Sequence, residues 1–154
     1  MKNVEVTRSR QRLDSLFDQV KAFVQDAELQ SHWAKYLCIL VSGFLETSVR
    51  EIYSQYTEAK SAPYIVNFVE YQLKSFQNPK MEKILDLTGM FSPEWESSLR
   101  NATKGELKDA VDSIVANRNN ISHGKSVGIT YATVQNYYQN VIKVVELIEN
   151  QCGL

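Results

Sequence analysis

Apolar residues recur along almost the whole chain at steps of three and four, the spacing of an amphipathic helix. Leu13, Leu16, Phe17, Val20, Phe23, Val24 and Ala27 mark a first helix. A second runs from near Ser31 to about Ala59, with Leu37, Leu40, Val41, Phe44, Leu45, Ser48 and Ile52 on one stripe. Its first half, WAKYLCILVSGFL, is apolar nearly all round, the pattern of a helix enclosed by several neighbours. Pro63 opens a shorter helix through Ile65, Phe68, Val69, Leu73 and Phe76. After the Asn78-Pro79 boundary, Met81, Ile84, Leu85 and Leu87 predict a short helix ending near Gly89.

Ser92-Pro93-Glu94 reads as a helix cap, a proline in the first turn and an acid beside it. Thr103-Lys104-Gly105-Glu106 fits a capping box ahead of Leu107, Val111, Ile114 and Val115, on a helix ending near Gly124. Thr130 caps a last helix with the stripe Val134, Tyr137, Tyr138, Val141, Val145 and Ile148. The nearest approach to a strand, Val127 to Tyr131, is short. The expectation is an all-α bundle forming one domain, 1–154, with short additional helices between the second and penultimate long ones. Leu40, Val41, Phe44, Ile114, Val141 and Val145 should meet in its core.

Composition agrees with an ordinary globular domain. The chain has 154 residues, 44% apolar and 23% charged, enough to bury a core without a disulfide or metal. Seventeen basic and 18 acidic side chains leave a formal charge of −1, which argues against a broad polyphosphate-wrapping surface but not against a local basic site. Cys38 and Cys152 lie in apolar helical patterns and are expected as reduced, buried thiols. The polar N-terminal stretch lacks the apolar core of a signal peptide, and no apolar run is long enough to span a bilayer. A cytoplasmic protein is expected.

Several patterns carry no chemistry. Gly124-Lys125-Ser126 copies the tail of a phosphate loop, but Asn119 replaces its first glycine and no strand precedes it. His32 and His123 are not spaced with the cysteines as zinc ligands, and no metal or cofactor is expected. Arg8, Arg10 and Arg12 form a basic cluster, Arg8 and Arg12 on one face. It reads as a solvated helix start or as a phosphate contact. Tyr131, Tyr137 and Tyr138 have core spacing, although tyrosines also stack on bases.

The informative stretch is Ala116-Asn117-Arg118-Asn119-Asn120-Ile121-Ser122-His123-Gly124. Arg118 falls inside the apolar stripe of its helix, on the side of Ile114 and Ile121. It must snorkel, pair with an acid, or face something absent from the monomer. Asn119, Asn120 and Ser122 around it are poor helix-interior residues, so local stability has been given up here. His123 lies about 140° round an ideal helix from Arg118, so the two converge on one ligand only if the helix unwinds at Gly124 or two chains meet. A buried Arg118 salt bridge, with His123 merely capping the helix end, is the competing reading.

The pattern RNNISHG, Arg118-x4-His123 at the end of a penultimate long helix, resembles the HEPN superfamily and within it the RiboL-PSP-HEPN branch. The resemblance implies a HEPN-like antiparallel bundle and a metal-independent endoribonuclease acting as a homodimer on single-stranded RNA, with a composite site. A toxin or phage-defence nuclease with a cognate antitoxin or sensor protein is the implied setting. Arg118 and His123 match the catalytic pair and Asn119 its polar neighbour. Glu46 and Arg50 are candidates for a supporting pair from an earlier helix, and an ordinary intrahelical ion pair is their other reading. Asn120, Ser122 and Lys125 are expected to touch RNA. The family also contains non-catalytic modules that bind a nucleotide, RNA or a partner protein. Histidine as a residue type titrates near ~6.5, suited to moving a proton near neutrality. Arginine offers phosphate a planar fork of donors.

Overall fold

The computed structural model describes residues 1–22 and 25–154; Phe23 and Val24 of the first apolar stripe lie outside them. The described residues contain seven α-helices and no strand: α1 (Val4–Lys21), α2 (Ala27–Lys60), α3 (Pro63–Leu73), α4 (Met81–Phe91), α5 (Pro93–Thr103), α6 (Glu106–Ser122) and α7 (Tyr131–Gln151). The all-α expectation holds, with three short helices between α2 and α6.

Helix α2 is the axis of the bundle. Its 34 residues span about 50 Å at 1.5 Å each, and it packs against α1, α3, α6 and α7. It begins earlier than the stripe suggested: Asp26 accepts the Leu29 N–H at 3.0 Å, so Ala27 opens α2 instead of ending α1. Val41, Phe44, Ile114, Val141 and Val145 are buried in one cluster. Leu40 is only partly buried, because its face of α2 opens onto a crevice beside α1.

The N-terminus of α1 is closed twice. Asn3 Oδ1 accepts the Val6 N–H, and the buried Glu149 carboxylate of α7 accepts the backbone N–H groups of Lys2 and Asn3. Phe17 stacks on Tyr138 with ring centroids 4.8 Å apart, and the Tyr138 hydroxyl donates to Asp14 Oδ1 at 2.7 Å. Burial first, then the contact with Asp14, pushes that phenol well above its usual range. Tyr131 likewise donates to the Phe17 carbonyl, so these two tyrosines are packing residues.

Two expectations fail for local reasons. The capping box at Thr103–Glu106 does not form. Thr103 is the last residue of α5 and its hydroxyl donates to the Leu99 carbonyl, while Glu106 accepts from Asn140 Nδ2. Gly105, at φ 83°, takes the cap position, a conformation that favours glycine. In α3 only Leu73 is buried; Ile65 and Phe68 of the expected stripe are exposed, beside Tyr64 and Tyr71. Helix α3 ends at Leu73, and Phe76 is buried from the following loop.

Candidate functional site

Helix α6 stops in a Schellman turn. Lys125 N–H donates to the Asn120 carbonyl at 2.9 Å and Gly124 N–H to the Ile121 carbonyl at 3.1 Å, with Gly124 in the left-handed region at φ 70°. His123 has already left the helix, at φ −92° and ψ 12°, while its backbone N–H still donates to the Asn119 carbonyl. The unwinding anticipated at Gly124 is therefore present. The imidazole projects from the turn and is exposed, as are Ser122 and Lys125.

Arg118, one turn back, is half-buried. Its Nη1 donates to Asn119 Oδ1 at 3.3 Å, the long end of the range for such a bond. Among the described residues it has no carboxylate partner, whereas Arg8, Arg10, Arg50 and Arg100 each have one. The buried salt bridge that would have made Arg118 a structural residue is not formed. Asn117 Nδ2 donates back to the Ser113 carbonyl at 2.8 Å, one of the local bonds that makes asparagine a weak helix former. Asn120 contributes its carbonyl to the turn, and its side chain is half-buried.

The structure thus gathers Arg118, Asn119, Asn120, Ser122, His123 and Lys125 at one helix end. It places Glu46 and Arg50 in a different role. Arg50 Nη2 donates to Glu46 Oε1 at 2.8 Å, the intrahelical pair expected from their spacing. Arg50 Nε and Nη2 also donate to the Phe76 carbonyl at 2.9 and 2.6 Å, and Glu46 Oε2 accepts the Asn78 N–H at 2.7 Å. The pair clasps the α3–α4 loop onto α2. Among the described residues no hydrogen bond or ion pair joins it to the α6 end.

Beneath the motif the bundle is closed. The Cys38 thiol of α2 points at the Ile114 carbonyl of α6, 3.6 Å away, and burial pushes it up to about 12. Among the described residues no three of histidine, cysteine, aspartate and glutamate converge as metal ligands, and no helix is long and apolar enough to cross a membrane. The basic cluster at the start of α1 divides: Arg8 pairs with Glu5, Arg10 with Asp14 and Glu146, and Arg12 stays exposed with no carboxylate partner among the described residues.

The sequence reading missed one feature altogether, an open face on α2 around Gly43. A glycine within an otherwise apolar helical run was the available signal. Neither the curated proteins nor the solved structures contain a match to this chain. The model of the RiboL-PSP-HEPN family matches residues 6–153, from the first turn of α1 to the turn after α7, and the chain belongs to that family.

Proposed function

We propose that the protein is a metal-independent endoribonuclease that works as a homodimer, with the α6 ends of two chains facing one RNA strand. The observation that carries this reading is Arg118. It is half-buried, has no carboxylate partner among the described residues, and stands one turn from an exposed histidine on a helix end rich in asparagine. An arginine left in this state is a donor fork awaiting an anion.

The chemistry follows from the residue types. His123 takes the proton of a ribose 2′-hydroxyl. The 2′-oxygen forms a bond to phosphorus, the bond to the 5′-oxygen breaks, and that oxygen leaves with the proton that the His123 imidazolium gives back. The products are a 2′,3′-cyclic phosphate and a 5′-hydroxyl end. Arg118 holds the non-bridging oxygens as charge grows on the phosphorane. Asn119, already bonded to Arg118, orients it; Asn120, Ser122 and Lys125 contact the strand. Glu46 and Arg50 support the site indirectly, through the loop they hold. A second chain completes the cleft and raises local positive potential on a protein of charge −1. The setting we propose is a cytoplasmic toxin or phage-defence nuclease held in check by an antitoxin or sensor protein.

The test is cleavage of labelled RNA in EDTA by wild type, His123→Ala and Arg118→Ala, with folding followed in parallel and a DNA strand as control. Inert wild type across varied RNAs, or undiminished cutting by His123→Ala, replaces this reading with a second one that the near-zero net charge favours: a HEPN module that binds a nucleotide, RNA or partner protein without cleaving. Light scattering that shows a monomer removes the composite site.

A further inference from the structure

Helix α3 is built the wrong way round for a monomer. A surface helix normally turns its apolar side to the core and its polar side to water. Of the 11 residues of α3 only Leu73 is buried, while Tyr64, Ile65, Phe68 and Tyr71 face solvent. Its single charged residue, Glu70, is drawn back onto α2, where its carboxylate accepts the Ser54 hydroxyl. The outer face of the helix is therefore apolar and uncharged. Met90 of α4 extends it, so five of the eight large apolar side chains exposed among the described residues lie on this one surface.

Two shapes lie side by side here. Tyr64, Phe68 and Tyr71, at steps of four and three residues, form a ridge along α3. Beside the ridge is a groove of about 460 Å³ between α3 and α4. The exposed Ile65, Phe68 and Met90 and the partly buried Tyr56, Leu87 and Phe91 line it. None of the described residues on its walls is charged. The groove is preformed: Phe91 stacks on the buried Tyr53 with ring centroids 4.5 Å apart, and the Tyr53 and Thr88 hydroxyls bond at 2.7 Å.

Area shows what such a surface can do. The five side chains, from 45% exposed at Ile65 to 80% at Met90, leave about 600–700 Å² in solvent. The largest apolar patch of a typical monomer is about 300–600 Å². Two of these surfaces face to face bury about 1,200–1,400 Å², within the ~1,200–2,000 Å² of specific protein interfaces. A ridge beside a groove of the same chemistry is self-complementary, as a twofold contact between identical chains requires. A foreign protein is normally selected by charge, and an anionic lipid surface by lysine or arginine. The groove walls carry no charge among the described residues, and α3 has no basic residue.

We propose that this α3–α4 surface is an interface between two copies of the chain, in which the ridge of each copy enters the groove of the other. It is separate from the α6 end: Tyr56, at the groove, stands about 27 Å along α2 from Cys38, which touches α6 at Ile114. The interface does not rest on the nuclease reading. Where that reading also holds, each chain has two twofold contacts, and the α6-faced dimers pair further through α3.

The experiment is sedimentation velocity of the full chain, from micromolar to near-millimolar concentration, for wild type, Phe68→Glu, Met90→Lys and Val4→Glu. All three positions are exposed, so circular dichroism and melting temperature should not change. Wild type should self-associate, and Phe68→Glu and Met90→Lys should each weaken that association about tenfold or more. Val4→Glu, which alters an exposed apolar residue on α1, should leave it intact. Hydrogen exchange checks the wild type directly: amides of α3 should exchange more slowly as concentration rises. A fall to half the wild-type mass in the two α3–α4 variants supports the proposal, whether the product is a monomer or an α6-faced dimer. A wild type that stays monomeric overturns it and leaves the surface to another protein or, if the monomer floats with anionic vesicles, to a lipid. An oligomer whose mass neither variant changes also overturns it, since the copies then meet elsewhere, as does equal dissociation by Val4→Glu. RNA cutting by such an unaffected oligomer defeats this proposal alone. Association lost in Phe68→Glu, by a chain that cuts no RNA, defeats only the nuclease reading.

Discussion

Arg50 and Arg118 make an instructive pair. Both are half-buried on long helices with a polar residue within one turn, yet their surroundings are opposite. Arg50 donates twice to the Phe76 carbonyl and once to Glu46, whose other oxygen caps the Asn78 N–H. Arg118 makes one 3.3 Å bond to the amide beside it. The first guanidinium is occupied in holding a loop; the second has most of its donors open. Under the proposed function, what separates a structural arginine from a functional one is whether another part of the chain returns to meet it.

That contrast is broken first by truncating the α6 end. His123→Ala is expected to lower the rate of RNA cleavage by ~10²–10⁴ and Arg118→Ala by about 10²–10³. Both should leave thermal stability within about 0.5 kcal/mol, as for ordinary surface changes. Equal losses of stability and activity would place Arg118 in the same class as Arg50.

The reverse outcome is expected at the other arginine. Arg50→Ala strands the Phe76 carbonyl and the Glu46 carboxylate, and should destabilise the fold by about 1–3 kcal/mol in urea melts. Any activity should decline only in proportion to the folded fraction. A double-mutant cycle with Glu46→Gln should show coupling, because the two side chains share one clasp.

The buried interior of the bundle can be probed with alkali. Burial raises the Cys38 thiol from 9.0 to about 12, and burial followed by the nearby Glu149 charge raises Cys152 to about 12. The unfolded chain ionises these thiols first. Their contribution is therefore complete below about pH 9.0 and is lost as pH rises toward 12. The loss is at most about 1.4 kcal/mol per thiol for each pH unit in that window. Native protein should also resist thiol alkylation at neutral pH until denaturant opens the core; rapid labelling of Cys38 would show that the α2–α6 contact is loose.

The smallest effects are expected at two glycines, Gly124 and Gly128. With φ at +70°, Gly124→Ala forces an L side chain into the left-handed region and should destabilise by about 1 kcal/mol. Gly128→Ala, where a Cβ meets nothing within 4 Å and the backbone is not left-handed, should be neutral within about 0.5 kcal/mol.

How far the sequence predicted all this depends on the range of the interaction. Helix positions repeat locally, so the period of apolar residues located every long helix and most of the core. Short-range chemistry was legible too: Ser92 and Thr130 accept the N–H bonds of the helix starts they were expected to cap, from Trp95 and Thr133. Thr103 and Glu106 fitted a local motif equally well, and lost it to partners at Leu99 and Asn140. Glu46 and Arg50 were visible as an i, i+4 pair, but the loop that claims them meets them from 32 and 26 residues away, and no periodicity records that. Phe68 and Ile65 look like core residues in any window. Only the packing of α3 on α2 through Leu73 decides that they face outward.

The Schellman turn has a dynamic consequence for the proposed reaction. Three backbone bonds, His123 to Asn119, Gly124 to Ile121 and Lys125 to Asn120, fix where the imidazole stands. Helix ends fray at free energies well below that of global unfolding, and this last turn is built from asparagine and serine, which hold a helix poorly. The fraction of time His123 is correctly placed therefore has its own temperature dependence. The protein would lose turnover on warming while its core was still intact, with hydrogen exchange at Gly124 and Lys125 reporting the cut-off before any melting curve does.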